Sequence, residues 1–539
     1  MTSTATDSAT EMNVGEASIK LLEAYGVDTV FGIPGVHTLE FCRGLNQSSI
    51  RHVQARNEQG AGFMADGYAR ASGKPGVALL ISGPGLTNAL TAMGQAYADS
   101  IPMLVVSADA TSHSLGKGWG CLHEVTSLTA MSAPVTAFSA TAMTAQEVQA
   151  LIARAFSVFS SERPRPVHIA IPIDVLEMPA TGDWQPIELP QRPTATANKI
   201  ERACALLRAA RQPMICVGGG GTLACEAITE IAEKLGAPVI SSIAGKGIVP
   251  SAHPLSLGGG VVRAEVQQYL KAADVVLAVG TELSEVDSFE GTLEINGKII
   301  RVDIDTRKMN DLYLAEAAVL GGARASCEAI LRQLGDVNAR SATVAEVAAI
   351  RQQFRTRLDS KQRRHCKMLD LLRETLPDDS IVFGDACQLV YTGTFAFDVS
   401  APRKWNYPGG YCTLGSALPD AIGARLARPE TPVAALVGDG GFMFTVQELV
   451  TGAELGLALP IILWNNQGLK QIQDDMVQRE IELIGVTGIN PDFMALAQSC
   501  HCHAIRAETA EQVRAAVRQA LAADRPTLIE VGEHDAWLD

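Results

Sequence analysis

Residues 438–468 read GDGGFMFTVQELVTGAELGLALPIILWNNQG, a Gly-Asp-Gly turn and an Asn-Asn pair flanking one helix–strand unit, with Asp439 and Asn466 27 positions apart. The run VAALV (433–437) has the continuous apolar character of a strand buried on both faces, and LPIILW (459–464) repeats it. FTVQELVTGAELG between them has helical spacing. Asp439 and Asn466 therefore leave the carboxyl ends of two parallel strands, where open α/β sheets hold ligands. A carboxylate, an amide oxygen and unpaired amides at a helix start suit a hard divalent cation carrying a diphosphate. Gly440 and Gly441 would let backbone N–H groups approach phosphate oxygens. A GDG alone is a common turn; joined to NN at this interval it is specific.

The rest of the chain extends this pattern. Its 539 residues call for about three domains, because single cores rarely grow past ~250–300 residues. Strand–helix alternation runs through 13–177, starting with a helix at 13–25. Its strands are TVFGIPG (29–35), VALLIS (77–82), MLVVSA (103–108) and VHIAIPID (167–174). A Pro-containing linker (178–196) leads to a second domain, 197–335, with strands at 213–221, 238–242, 275–280 and 298–305. A helical stretch, 344–376, connects to a third domain, 378–535, whose last strand is PTLIEVG (526–532). The expected fold is three consecutive α/β domains with mostly parallel sheets. GGGG (218–221) follows a strand, but its spacing is not GxGxxG.

Net charge is −15 with no basic block, which argues against nucleic acid as a partner. Apolar runs fall short of the ~20 residues that span a bilayer. The opening MTSTATDSATEM lacks the basic start and apolar core of a signal peptide, so a cytoplasmic location is expected. Eleven scattered cysteines fit reduced thiols. Cys500, His501, Cys502 and His503 alternate along a predicted strand, so only two of them could share a metal.

The GDG–NN interval resembles the signature of thiamine-diphosphate enzymes. The three domains resemble the pyrimidine-binding, central and diphosphate-binding order of the acetolactate synthase and pyruvate oxidase group. The resemblance implies thiamine diphosphate and Mg2+ as cofactors, with Asp439, Asn466 and the Gly468 carbonyl on the metal. Gly438, Gly440 and Gly441 would lie against the diphosphate. Glu58, in IRHVQARNEQGAGFMADGYARASGKPG (50–76), matches the family glutamate whose carboxyl donates to pyrimidine N1′ and so promotes loss of the thiazolium C2 proton. An acid at a helix start is also a common surface feature. The small and apolar residues 60–65 favour burial instead. Asn57 stands where many members of the family have His. SGPGLTN (82–88) resembles the loop near the pyrimidine, and CTLGSALPDAIGA (412–424) places Leu414 where the family wedges an apolar residue between the cofactor rings. Core packing is the other reading of Leu414.

Family geometry also implies a homodimer or a dimer of dimers, with Glu58 and Asp439 supplied to one site by different subunits. The substrate class implied is a small-molecule 2-oxo acid. The adjacent His-His of pyruvate decarboxylases is missing, since 112–114 reads Ser-His-Ser, and Gln471 stands where that group has glutamate. GIPGVHTLEFCRGL (32–45), EQGAGFMADGYAR (58–70), MGQAYADSIPML (93–104) and LGKGWGCLHE (115–124) are most similar to the decarboxylases of 5-guanidino-2-oxopentanoate (2-ketoarginine) within this family. EVTSLTA (124–130) departs from their pattern. The expectation is non-oxidative decarboxylation to 4-guanidinobutanal, with acetolactate- or benzoin-type carboligation as the alternative. His123 or Gln471 would position the carboxylate or deliver a proton, and a loop-packing histidine is the other reading of His123. Asp474, Asp475, Glu480 and Glu482 follow the cofactor loop on a predicted helix, where carboxylates could meet a guanidinium. A solvent-facing acidic helix has the same sequence.

Overall fold

The computed structural model describes residues 12–337, 339–341 and 343–539. It divides into two compact units. One is the chain up to Ala69 with Lys74–Pro190; the other is Arg70–Gly73 with Gln191–Asp539.

The first unit holds one sheet of six parallel strands: β1 (Thr29–Gly32), β2 (Arg51–Gln54), β3 (Gly76–Leu80), β4 (Met103–Asp109), β5 (Phe138–Thr141) and β6 (Val167–Pro172), in the order β2-β1-β3-β4-β6-β5. The interior strands β3 and β6 are buried along their whole length, as helices on both faces require. The second unit holds two further parallel sheets. The central one comprises β7 (Pro213–Val217), β8 (Val239–Ser241), β9 (Val275–Val279), β10 (Lys298–Asp303) and β11 (Ala317–Leu320), ordered β11-β10-β9-β7-β8. The last comprises β12 (Ile381–Gly384), β13 (Trp405–Asn406), β14 (Val433–Gly438), β15 (Pro460–Asn465), β16 (His503–Arg506) and β17 (Thr527–Gly532), ordered β13-β12-β14-β15-β17-β16. The α/β architecture with parallel sheets is as expected.

Counted from its own first strand, the last sheet has the strand order of the first. In each, the chain reverses direction between the first and third strands of the sheet, so the loops leaving those two strands diverge and open a crevice. In the first sheet these loops carry His37 and Ser82; in the last they carry Asp385 and Gly438–Asp439. Topology thus brings chemistry-bearing loops to corresponding places in two sheets.

The structure sharpens two of the helical expectations. FTVQELVTGAELG (444–456) is helical over Glu448–Glu454, and its first residues, 444–447, lie outside the helix. The cause is Thr445, fully buried, whose Oγ1 donates to the Gly415 carbonyl at 2.6 Å and pulls the chain out of helical register. The stretch 344–376 is two helices, Thr343–Thr356 and Ser360–Thr375, the second started by a reciprocal Asp359–Gln362 capping box. In GGGG (218–221) the glycines serve a close packing contact. A Cβ on Gly218 would fall 2.2 Å from the Gly280 carbonyl, and one on Gly220 2.8 Å from Gly280 Cα, so these glycines let two loops touch. As for the Cys-His run, Cys502 Sγ faces the Leu449 carbonyl at 3.5 Å, while His503 Nε2 pairs with Asp524 at 2.8 Å. No helix among the described residues is long and apolar enough to cross a membrane.

Lys246, in the loop after β8, is fully enclosed, and its Nζ donates to the Gly393 and Thr394 carbonyls at 2.6 and 2.8 Å. These carbonyls end the helix Gln388–Ala396, where a cation is favoured. Burial pushes the ammonium pKa down to about 7, with Asp398 opposing, and the Trp405 face 4.7 Å away also favours the charge. A neutral amine still has an N–H for each carbonyl. The unfolded lysine keeps its proton to about pH 10.4. Between those values the unfolded chain binds more protons, so this group makes stability rise with pH, by at most about 1.4 kcal/mol per pH unit. Lys246→Met is expected to flatten the rise of urea midpoints between about pH 7 and pH 9.5. Equal slopes in the two proteins would refute the linkage.

Candidate active site

The residues of the predicted clamp around Asp439 lie at the ends of β14 and β15. Asp439 is 1% exposed, and its Oδ2 accepts from Gly468 N at 2.9 Å and from Asn490 Nδ2 at 2.7 Å. Asn465 is a scaffold: its Nδ2 donates to Glu530 at 2.7 Å, and its Oδ1 accepts from Gln467 N at 3.1 Å and Asn490 Nδ2 at 3.2 Å. Asn466, half-buried beside it, makes no hydrogen bond with the described residues. The backbone turns sharply through Gln467 (φ 62°) and Gly468 (φ 147°), and a Cβ on Gly468 would sit 2.4 Å from the Val486 carbonyl. A carboxylate, an amide and a backbone carbonyl form an all-oxygen donor set, which fits Mg2+. Gly440 adds a cradle that a side chain would fill, since its Cβ would fall 2.8 Å from Leu469 Cδ2.

A carboxylate the sequence reading missed ties this turn to the predicted wedge. Asp385, fully buried after β12, accepts from Ala386 N and, through both oxygens, from Gly415 N, each at 2.9 Å. A Cβ on Gly441 would lie 2.7 Å from Asp385 Oδ2 and 3.5 Å from Leu414 Cδ2. Leu414, half-buried, therefore rests on the GDGG turn. Burial raises the Asp385 carboxyl to about 6, against the pull of the backbone amides.

The helix Lys470–Gln478 brings Gln471, Asp474 and Asp475 into one network with Gln388, which is 4% exposed. Gln388 Nε2 donates to Gln471 Oε1 at 3.0 Å and to Asp474 Oδ2 at 2.9 Å, and Gln471 Nε2 reaches Asp475 Oδ1 at 3.1 Å. Asp474 already has a cation, Lys361 Nζ at 2.7 Å. Burial works against its charge, but the Lys361 and Gln388 hydrogen bonds prevail and hold its pKa below the usual carboxylate value. The helix ends at Gln478, so Glu480 (φ 57°) and Glu482 stand beyond it on an exposed stretch, contrary to expectation.

In the first unit, Glu58 opens the helix Glu58–Ser72 and is 9% exposed; Ala61 and Phe63 to Asp66 are fully buried. A helix enclosed on all sides is an interior element, which disposes of the surface-acid reading. Asn57 Oδ1 accepts from Gln59 N at 2.8 Å and caps it. Gly62 lets the helix Pro84–Ala98 come close, its Cβ position being 2.6 Å from Ala92 Cβ. That contact puts Asn88 Nδ2 2.9 Å from Glu58 Oε2, while Glu58 Oε1 faces Gly85, 3.6 Å from where a Cβ would be.

His123 sits at φ 62°, next to a loop stapled by one side chain. Glu124 Oε1 accepts from Gly118 N and Trp119 N at 2.8 and 3.2 Å, and its Oε2 from Gly120 N and Cys121 N at 2.6 and 3.0 Å. Gly116, Gly118 and Gly120 all take positive φ, which makes a concave nest of amides around the carboxylate. Desolvation would raise the Glu124 pKa, but the four amides outweigh it and the pKa is lowered. His37 and Ser82, not singled out by the sequence reading, lie against His123: His37 Nδ1 is 2.6 Å from Ser82 Oγ, and the two imidazoles meet edge to face at 5.4 Å.

Family comparison agrees with this division of parts. Residues 12–131 match the thiamine pyrophosphate enzyme N-terminal TPP-binding domain, 200–330 the central domain and 385–531 the C-terminal TPP-binding domain. The chain is 48% identical to a protein of Pseudomonas aeruginosa named probable 2-ketoarginine decarboxylase, over 96% of this chain and 94% of the relative. It is 33% identical to acetolactate synthase isozyme 1 large subunit of Escherichia coli, over 87% of this chain and 84% of the relative. Identity to a probable acetolactate synthase large subunit of Methanococcus aeolicus is 30%, over 96% and 92%. With Glu58 enclosed in one domain and the Asp439 clamp built in another, the chain belongs to the thiamine pyrophosphate enzyme family.

Proposed function

We propose that the chain is a thiamine-diphosphate- and Mg2+-dependent 2-oxo acid decarboxylase acting on 5-guanidino-2-oxopentanoate and releasing 4-guanidinobutanal and CO2. The observation that carries this reading is the near full-length similarity to the relative named for 2-ketoarginine, together with an acidic network beside the clamp. The bound cofactor supplies a carbon that takes up the oxo group and holds the electron pair left when CO2 departs. Asp439, Asn466 and the Gly468 carbonyl would hold Mg2+, with Gly438, Gly440 and Gly441 at the diphosphate. Asn88 holds one oxygen of Glu58, leaving Oε1 to share a proton with the pyrimidine. Leu414 would fill the bend between the cofactor rings.

His123 delivers a proton to the carbon that loses CO2, and Gln471 orients the substrate carboxylate. For the guanidinium, Asp475 is the better partner. Lys361 already neutralises Asp474, and a paired carboxylate offers little to a second cation. Glu482, exposed past the helix end, would contribute only long-range attraction. Met443 and Phe444 beside the clamp are exposed apolar side chains, as are Trp119 and Leu122 in the first unit. They support a homodimer or dimer of dimers in which Glu58 of one subunit meets the clamp of another.

Carboligation is the second reading, favoured by the two acetolactate synthase relatives. A panel of 2-oxo acids with thiamine diphosphate and Mg2+, scored for CO2, aldehyde and acyloin, separates the two. Higher kcat/KM for 2-ketoarginine than for pyruvate, with aldehyde as product, is the expected result. Preference for pyruvate would sink the substrate assignment, and acyloin as the main product would replace the reaction.

A further inference from the structure

The loop Ser82–Gly85 after β3 touches three ionisable groups in succession. Ser82 is 1% exposed, and its Oγ holds His37 Nδ1 at 2.6 Å. Gly83 takes φ 60°, and a Cβ there would collide with His123, at 2.6 Å from its carbonyl and 2.9 Å from its Cβ. Gly85 faces Glu58 Oε1. One tight backbone segment thus places two imidazoles and the glutamate together within the first unit. His37 reaches this point from the short helical turn Val36–Thr38 after β1, on the other side of the crevice.

Each imidazole has one nitrogen committed. At His37 it is Nδ1, bonded to Ser82. At His123, Nδ1 is shut away from solvent and has no hydrogen-bond partner among the described residues. Proton exchange at His123 is therefore confined to Nε2. The His123 ring is held in place by the edge of His37 at an interplanar angle of 69°, and by the strained backbone that the Glu124 staple maintains.

We propose that His37, fixed through Nδ1 by Ser82, is the positioning residue for His123, and that this pair decides between aldehyde release and carboligation. The inference rests on the decarboxylase reading given above. In the step concerned, the C–CO2 bond breaks and its electron pair stays on the former carbonyl carbon. That pair takes the proton from His123 Nε2, CO2 leaves, and the imidazole regains a proton from water, so one proton is consumed and no oxidant is needed. If the proton is late or misaimed, the same electron pair attacks a second carbonyl compound and an acyloin forms instead. Burial, and after it the nearby His123, hold the His37 pKa below the ordinary histidine value.

The test combines product analysis with NMR of histidine-labelled apoprotein. His37→Asn is expected to lower kcat on the order of tenfold, less than the ~10²-fold or greater loss of a direct proton donor. It should also raise the acyloin share and move the acid limb of the pH–rate profile. Ser82→Ala retains the imidazole and should shift the His37 Nδ1 resonance, with a smaller change in products. In the apoprotein, His123→Asn should raise the titration midpoint of His37. Unchanged products in His37→Asn, or a His37 midpoint indifferent to His123→Asn, would overturn the pairing. The NMR readout needs no substrate, so it separates failure of this pairing from failure of the decarboxylase reading, which the wild-type panel tests.

Discussion

Glu58→Gln is expected to lower kcat by about 10²- to 10⁴-fold, the range that a positioned acid–base group contributes. Thiamine diphosphate affinity should stay near that of the wild type. Glutamine keeps the shape of the side chain and leaves an oxygen for the Asn88 amide, now 2.9 Å from Glu58 Oε2. It lacks the carboxyl proton. The substitution also removes an acid from the first turn of a helix, worth about 0.3–1 kcal/mol. That is too little to unfold a helix whose first three turns are buried almost throughout. Turnover, cofactor binding by calorimetry and thermal midpoints measured together would show loss of the first with retention of the other two. Full activity in the variant would remove Glu58 from the chemistry.

The opposite split is expected at the clamp. Asp439→Asn should weaken Mg2+-dependent cofactor binding by more than about 100-fold, beyond the ~10–100-fold that outer-shell changes produce around metals. The asparagine oxygen can still accept from Gly468 N and Asn490 Nδ2, so the turn should hold its shape. What disappears is the only carboxylate among the three proposed metal donors. Calorimetric titration of the cofactor with and without Mg2+ gives the answer. Equal affinity in the two proteins would exclude Asp439 as a ligand. Saturating cofactor should partly restore turnover here and should do nothing for Glu58→Gln.

The strands legible in the sequence are the interior ones. β3, β4, β6, β14 and β15 are predominantly apolar because neighbours cover them on both sides. Edge strands were harder to read: β5 is half-buried at every residue, β2 buries only Val53, β13 is two residues long, and β16, half-buried throughout, begins only at the last residue of the predicted strand 500–503. The site divides similarly. Asp439, Asn466 and Glu58 stand in motifs whose local backbone dictates the residue type. Asp385, Asn490 and His37 act across 30 or more positions of chain, on Gly415, Asp439 and Ser82 respectively, and no local pattern marks them. A signal existed for Asp385 and His37, since each follows the first strand of its sheet at the crevice that strand order opens. It could be read only once that order was known. The late start of the helix after Thr445 was hidden for the same reason, being set by a contact with Gly415, 30 positions away.

The Glu124 staple has a consequence for how such a protein can change. It grips four peptide N–H groups and no side chain, and the glycines it needs alternate with Lys117, Trp119 and Cys121. Shape and surface are thereby specified by different residues of the same short segment. The intervening side chains can be exchanged without disturbing the curve that carries them, and Trp119, 63% exposed, is already directed outward. If the proposed reaction holds, new preferences among 2-oxo acids would arise there by single substitutions, with His123, the proposed proton donor next door, left undisturbed.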